Sequence, residues 1–344
     1  MTEGNVDLTI IIPFYNGEYD LIQQAINSTV QQDKITAEIL VINDGSEEAY
    51  ARRVREYCRK YENIRFMSQE NKGVSAARNW GIKEASGKYL TFLDADDRLT
   101  QIFFSDMKRI LPLQPDMILG GTKLVQSNEQ VTDKLQGTYK LYSQKEDIRI
   151  WKTRLHGRQY YFSKGKKVYL NLGIAAKIIR TELAKQVLVN EDLRLCEDRV
   201  WNLEVIDKVK ELIVVHQLWY LYTNNSKSVT RKYSPQVAEN AAAYLSIIKE
   251  QAGNDCDDRI AYVADLCSEL RRTSWQYLNH PENRSNMRER LRNEKYLYTQ
   301  EPWIYLNRCK EYDPRDRKTI FLYRCRLLFL YWRVGKWLKR KRGK

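Results

Sequence analysis

Tyr89-Leu90-Thr91-Phe92-Leu93-Asp94-Ala95-Asp96-Asp97 is the stretch that decides the fold, because a short apolar run ends abruptly in three carboxylates. A run this short has the length of one buried strand, and carboxylates crowded at its end need a cation. Asp94 and Asp96 can approach one point, and hard oxygen ligands at an exposed edge suit Mg²⁺ or Mn²⁺ that also binds a diphosphate. The same residues also suit a solvated acidic turn, since Asp is common in turns.

Working outward, Leu8 to Pro13, Glu38 to Asn43, Ile64 to Ser68 and Met117 to Gly121 are further apolar runs. Between them, Tyr19 to Gln31, Glu47 to Lys60 and Val74 to Ala85 carry apolar residues at helical spacing. Strands alternating with helices predict a parallel sheet covered on both faces, with ligands at the strand C-termini. The residues just after each run therefore share one edge: Phe14, Tyr15 and Asn16, then Asp44, then Gln69 to Lys72, then Asp94 to Asp97. Asp44, in Asn43-Asp44-Gly45-Ser46, could accept the N3 proton of a uracil ring with Tyr15 packed on the base, or it could belong to an ordinary Asp-Gly turn. Asn71 to Gly81 opens a helix with small residues and places Arg78 one turn in, within reach of a nucleotide or packed as a surface arginine.

From Thr122 to Leu170 the pattern is lost, with a hairpin suggested by Lys123 to Val125 and Thr138 to Leu141 and a helix over Gln144 to Leu155. A strand follows over Ile174 to Ile179, then a helix from Thr181. Glu197 to Val209 has a helical period with two acids at its start, where the positive end of the helix dipole favours them. Two more strands, Leu212 to Val215 and Leu218 to Tyr222, precede an almost wholly helical region from Pro235. The expected domains are residues 1–234 and 235–344.

The chain has 344 residues, 43% hydrophobic and 30% charged, which fits a globular protein and excludes a disordered or fibrous one. The first apolar run is too short for a signal sequence and no uncharged stretch spans a bilayer, so a cytoplasmic protein is expected. Six scattered cysteines and three histidines form no zinc pattern. The net charge is +14; residues 315–344 hold 12 Lys/Arg and one acid, or +11, leaving +3 for the rest. This basic tail predicts contact with an anionic surface.

Four segments together carry a resemblance: Ile10 to Glu18 (IIIPFYNGE), Ile39 to Ser46 (ILVINDGS), Asn71 to Asn79 (NKGVSAARN) and Tyr89 to Asp97 (YLTFLDADD). In order and spacing they resemble the family 2 glycosyltransferases, strongly over residues 8 to about 100 and patchily to about 230. The resemblance implies an α/β fold of the glycosyltransferase-A type, one nucleotide-binding domain with a mostly parallel sheet, followed here by a helical C-terminal region. It implies an inverting mechanism, a divalent cation (Mn²⁺ or Mg²⁺) and a nucleotide-sugar donor, usually linked to UDP. Pro13, Tyr15 and Glu18 fall in the first matching segment and are expected at the nucleotide-sugar. Asp44 matches the carboxylate that reads the base and Arg78 the arginine near the nucleotide. Asp94 and Asp96 match the D-x-D motif that holds the metal. Glu197-Asp198 matches the acid pair whose aspartate, Asp198, serves as catalytic base; Glu191-Asp192 competes, but the amphipathic helix starts at the later pair. Asn43 stands where the family often has a second aspartate.

The implied chemistry needs no nucleophilic side chain: cations stabilise the leaving diphosphate while a carboxylate takes the acceptor's proton from the opposite face. A sugar nucleotidyltransferase would need a glycine-rich loop after the first strand, and residues 13–18 hold one glycine. The aromatic, basic tail also suits single-stranded nucleic acid, but the resemblance favours a glycan or lipid-linked acceptor at the inner face of the cell membrane, with no nucleic acid. Leu327 to Leu338 contains Arg333 and Lys336, so it can lie on a membrane surface but not cross it.

Overall fold

The computed structural model describes residues 6–30, 35–126, 129, 131, 138–155, 160–163, 166–169, 173–224, 232–253, 255–328 and 330–335. The first half alternates as expected: β1 (Leu8–Phe14), α1 (Tyr19–Val30), β2 (Ala37–Asp44), α2 (Glu48–Cys58), β3 (Ile64–Gln69), α3 (Val74–Glu84) and β4 (Tyr89–Phe92). Then come β5 (Arg98–Leu99), α4 (Ile102–Ile110), β6 (Met117–Val125), β7 (Tyr139–Tyr142), α5 (Lys145–Leu155) and a separate hairpin of β8 (Tyr160–Ser163) and β9 (Lys166–Tyr169). β10 (Lys177–Arg180), α6 (Thr181–Ala184), α7 (Glu197–Ile206) and β11 (Leu212–Thr223) complete the α/β part.

The main sheet has the order β3-β2-β1-β4-β10-β6-β11-β5, with β7 also on β11. β3, β2, β1 and β4 run parallel, and β11 is parallel to β6. β10 is antiparallel to both its neighbours, β4 and β6. The sheet is thus a mixed one built on a parallel half, and its central strands β1, β2 and β4 are buried on both faces, which is why they read as continuous apolar runs and not as alternating ones. One face packs Ile10, Ile12, Ile39 and Val41 with Phe103 and Met107 of α4 and with Trp219. On the other, α3 lies so close that a Cβ at Gly81 would run into the Ile11 side chain. Each fully buried Ile of this layer contributes roughly 1.5–3 kcal/mol.

Three sequence expectations are corrected. Lys123 to Val125 and Thr138 to Leu141 form no hairpin: Lys123 to Val125 pair with Leu221 to Thr223 of β11, and β7 pairs with Leu212 to Val215 of the same strand. The runs Leu212 to Val215 and Leu218 to Tyr222 belong to one strand, interrupted by register shifts around Leu218. The strand expected from Ile174 begins only at Lys177, after Ala176 turns the chain at φ +56°.

The chain divides into two compact units; residues 193–196 and the described residues from 232 on form the second. That unit contains α8 (Val237–Gln251), α9 (Cys256–Thr273), α10 (Met287–Leu297) and α11 (Arg317–Arg324). α10 starts on a capping box between Asn286 and Glu289. The basic tail is not a free arm throughout. Ile320 and Tyr323 of α11 are buried, the Tyr323 hydroxyl lies 2.9 Å from the Leu297 and Trp303 carbonyls, and Arg271 bonds Asp316 at 3.0 Å. Among the described residues no helix is long and apolar enough to cross a membrane.

Candidate active site

The parallel half of the sheet brings the C-terminal ends of β1, β2 and β4 to one edge, as the motif order required. Asp44 ends β2 and is buried. Its Oδ1 accepts from the Gln69 side chain at 2.8 Å and from the Lys72 N–H at 2.9 Å, and its Oδ2 accepts from the Gly73 N–H at 2.9 Å. Asp44 therefore latches the loop that leads into α3. The tight approach needs glycine at 45, which sits at φ +74° and where a Cβ would collide with the Asn71 backbone. Asn43 closes the same turn by accepting from the Ser46 N–H at 3.0 Å and donating to Ser68 at 2.9 Å.

Pro13 is buried inside β1, in register with Ile42. Tyr15, just past the strand end, is 56% exposed. Glu18 is exposed at the start of α1, where its carbonyl accepts from the Leu21 N–H. Asp44 and Asp94 sit two strands apart, roughly 10 Å across the sheet. Of the residues expected from sequence, the edge thus aligns Tyr15, Asp44 and Asp94, whereas Pro13 sits in the sheet interior.

Arg78 ties the remaining motifs together. One guanidinium nitrogen pairs with Asp94 at 3.0 Å and another with Glu197 at 3.0 Å, on a side chain only 6% exposed. Burial alone would discourage its charge, but Asp94, Glu197 and Asp198 more than offset this and hold it protonated. The acid pair at the start of α7 is therefore joined to the carboxylates after β4 by one buried cation. Asp198 accepts from the Arg199 N–H at 2.8 Å, as an acid in a first helical turn should. Glu197 is pushed up by burial and by Asp198 against the pull of Arg78. The competing pair lies elsewhere: Glu191 and Asp192 are exposed, and Glu191 accepts from Asn79 at 2.7 Å.

Three further residues of the site were given no role from the sequence. Asp97 is buried, accepts from the Tyr220 hydroxyl at 2.7 Å and from the Thr223 N–H at 2.7 Å, and is pushed up to about 8 by burial and by the charges of Asp94 and Asp96. Tyr220 also receives the Asp94 N–H at 3.1 Å, so β11 shapes the acidic turn from both ends. Lys177 is buried at the start of β10, and burial pulls it down to about 7 against the opposing charge of Asp198. The third acid after β4 was a visible signal for Asp97, and Lys177 lies on the stretch over which the resemblance continues; nothing local marks Tyr220. Among the described residues no three His, Cys, Asp or Glu side chains form a ready-made metal cage.

The model of glycosyl transferase family 2 matches residues 9–173. The chain is 28% identical over 245 residues to Glycosyltransferase GlyA of Streptococcus pneumoniae, covering 66% of this chain and 32% of that protein. It is 27% identical over 239 residues to the uncharacterized glycosyltransferase EpsJ of Bacillus subtilis, covering 68% of this chain and 66% of that one. The match thus spans about a third of GlyA and just under two thirds of EpsJ. Over 107 residues it is 37% identical to the minor teichoic acid biosynthesis protein GgaB of B. subtilis, covering 30% of this chain and 12% of that protein. The structure of S. aureus TarS 1-349 in complex with UDP-GlcNAc superposes with a TM-score of 0.63 at 18% identity, over 96% of this chain and 92% of that one, a likeness of fold. Residues 9–173, which carry the acidic turn after β4 and the arginine paired with it, are the part of the chain that is similar to glycosyl transferase family 2.

Proposed function

We propose that this chain is an inverting, metal-dependent glycosyltransferase that moves a hexosyl or N-acetylhexosaminyl group from a UDP-sugar to a hydroxyl of a glycan or lipid-linked acceptor in cell-surface polysaccharide synthesis. The observation that carries this reading is the Arg78 bridge, which unites Asp94 with Glu197-Asp198 at the edge where the strands end. The UDP-GlcNAc complex of TarS and the teichoic acid role in the name of GgaB support the donor and the polymer class.

Each residue has a task that follows from its surroundings. Tyr15 stacks on the base; Asp44, with three of its roughly four acceptor positions filled, keeps one for the uracil N3–H. Arg78, anchored by two carboxylates, brings positive charge toward the diphosphate. Asp198, at the N-terminus of α7, takes the proton of the attacking hydroxyl from the face opposite the leaving group, and attack from that face inverts the anomeric centre. A divalent cation fits the turn after β4: the donor set is oxygen only, and three carboxylates in four residues crowd there, pushing Asp97 up through burial and through the charges of Asp94 and Asp96. Asp94 and Asp96 would hold Mn²⁺ or Mg²⁺, which supplies charge stabilisation to the departing UDP. The tail beyond α11 supplies peripheral contact with an anionic membrane, at about 1 kcal/mol per basic residue near the surface.

The test is a panel of UDP-sugars scored for UDP release with and without Mn²⁺. One sugar should be favoured, release should need the metal, and Asp96→Ala should abolish it. Metal-independent release, or release undiminished in the variant, contradicts the reading.

A further inference from the structure

The three acids of the turn after β4 are not equivalent. Asp97 is 1% exposed, and both of its oxygens are bonded to β11, Oδ2 accepting from the Tyr220 hydroxyl and Oδ1 from the Thr223 N–H, each at 2.7 Å. Asp94 and Asp96 stay half-buried at the sheet edge. The Asp97 N–H donates to the Asp94 carbonyl at 3.0 Å, which closes residues 94–97 into one turn. The Asp94 N–H in turn donates at 3.1 Å to the same Tyr220 oxygen whose proton goes to Asp97. One fully buried hydroxyl therefore holds both the first and the last residue of the turn.

β11 is shaped to present that hydroxyl. Its pairing with β6 shifts register on either side of Leu218, and the second shift ends at Tyr220. Irregularities of this kind re-aim a side chain and are common beside active sites. Directly after the shift, Tyr220 and Leu221 pair with Leu99 and Arg98 of β5, the strand into which the turn leads. Thr100 adds two bonds to the same strand, its N–H to the Trp219 carbonyl at 2.9 Å and its hydroxyl to the Leu218 carbonyl at 2.8 Å. The turn is thus fastened to β11 at its start, at its last residue and beyond its end. We propose that Tyr220 is a positioning residue for the divalent cation: with Asp97 as its anchor, it fixes the turn so that Asp94 and Asp96 meet the ion without rearrangement. The inference rests on the reading of Asp94 and Asp96 as the ligands of that ion. Groups that orient metal ligands are commonly worth about 10- to 100-fold in metal affinity.

The experiment measures UDP affinity by calorimetry in the full chain, with and without Mn²⁺, for the parent, Tyr220→Phe, Asp97→Asn and Asp96→Ala. Tyr220→Phe deletes one hydroxyl and leaves the ring in the core, so folding is retained. The parent should bind UDP more tightly with Mn²⁺ than without it. In Tyr220→Phe the affinity in Mn²⁺ should fall about tenfold, while the metal-free affinity stays that of the parent. Asp97→Asn offers one acceptor oxygen to two donors and should lose the Mn²⁺ effect in the same way. Parent behaviour in Tyr220→Phe, while Asp96→Ala has lost the Mn²⁺ effect, overturns this inference alone; a loss in Asp97→Asn beside it would make Asp97 itself a ligand. A loss in Tyr220→Phe that is equal with and without Mn²⁺ also overturns it, by assigning the hydroxyl to the fold and not to the ion. No Mn²⁺ effect in the parent overturns the metal reading and this inference with it.

Discussion

Arg78 concentrates more of the site's electrostatics than any other side chain, because two carboxylates from segments more than 100 residues apart converge on it. Removing one partner of a buried ion pair costs more than the pair itself contributes, since it strands the other charge. Arg78→Met should therefore lower stability by about 3 kcal/mol, less than the fully buried limit because Asp94 is one-third exposed. Denaturant unfolding checks this, and a loss below about 1 kcal/mol would mean that water already compensates Asp94 and Glu197. The sequence showed Arg78 as a cation near a nucleotide but not as a bridge, because its partner Glu197 is 119 residues away. It showed Asp97 as the third acid of a turn but not as a buried one; the Tyr220 and Thr223 contacts that bury it come from 123 and 126 residues downstream.

The strands and helices of the first half were legible because each βαβ step is local and each buried strand is an unbroken apolar run. The region from β6 to β11 was not, since there pairing is set by strands far apart in sequence, and one bulged strand, β11, takes three partners. β10 shows the difference most clearly: its apolar run was read as a strand that starts at Ile174 and not at Lys177, and the lysine that opens it sits in the interior with its head against backbone carbonyls. That lysine gives the element a measurable signature. Its folded-state value, about 7 against an ordinary 10.5, means that between those values the unfolded chain holds the proton and the folded chain does not. Stability should therefore rise with pH across that window, and the burden of the buried charge is fully present below pH 7. Lys177→Met lacks it, so the stability difference between variant and parent should shrink as pH climbs from 7 toward 10. A pH-independent difference would place the lysine's charge in water.

For the molecule as a whole, the +11 of residues 315–344 looked like one basic arm, yet its first part is core. Tyr323 and Ile320 fill the helical unit, so truncation after Asp313 should unfold that unit. The residues beyond Gly335 carry a denser charge, and exposed apolar side chains at Leu327, Leu330, Tyr331 and Val334 precede them. Deleting 336–344 should leave the fold and donor hydrolysis intact and weaken binding to anionic vesicles, with the remaining binding falling as salt is added. Unchanged vesicle binding would move the membrane contact elsewhere. The account rests finally on one carboxylate, chosen over a second acid pair because Arg78 binds its neighbour. Transfer rates at saturating UDP-sugar for Asp198→Asn and Asp192→Asn are the direct measurement. Asp198→Asn should lose on the order of 10² to 10⁴-fold with UDP affinity little changed, and Asp192→Asn should stay near the parent; a loss confined to Asp192→Asn would contradict the account.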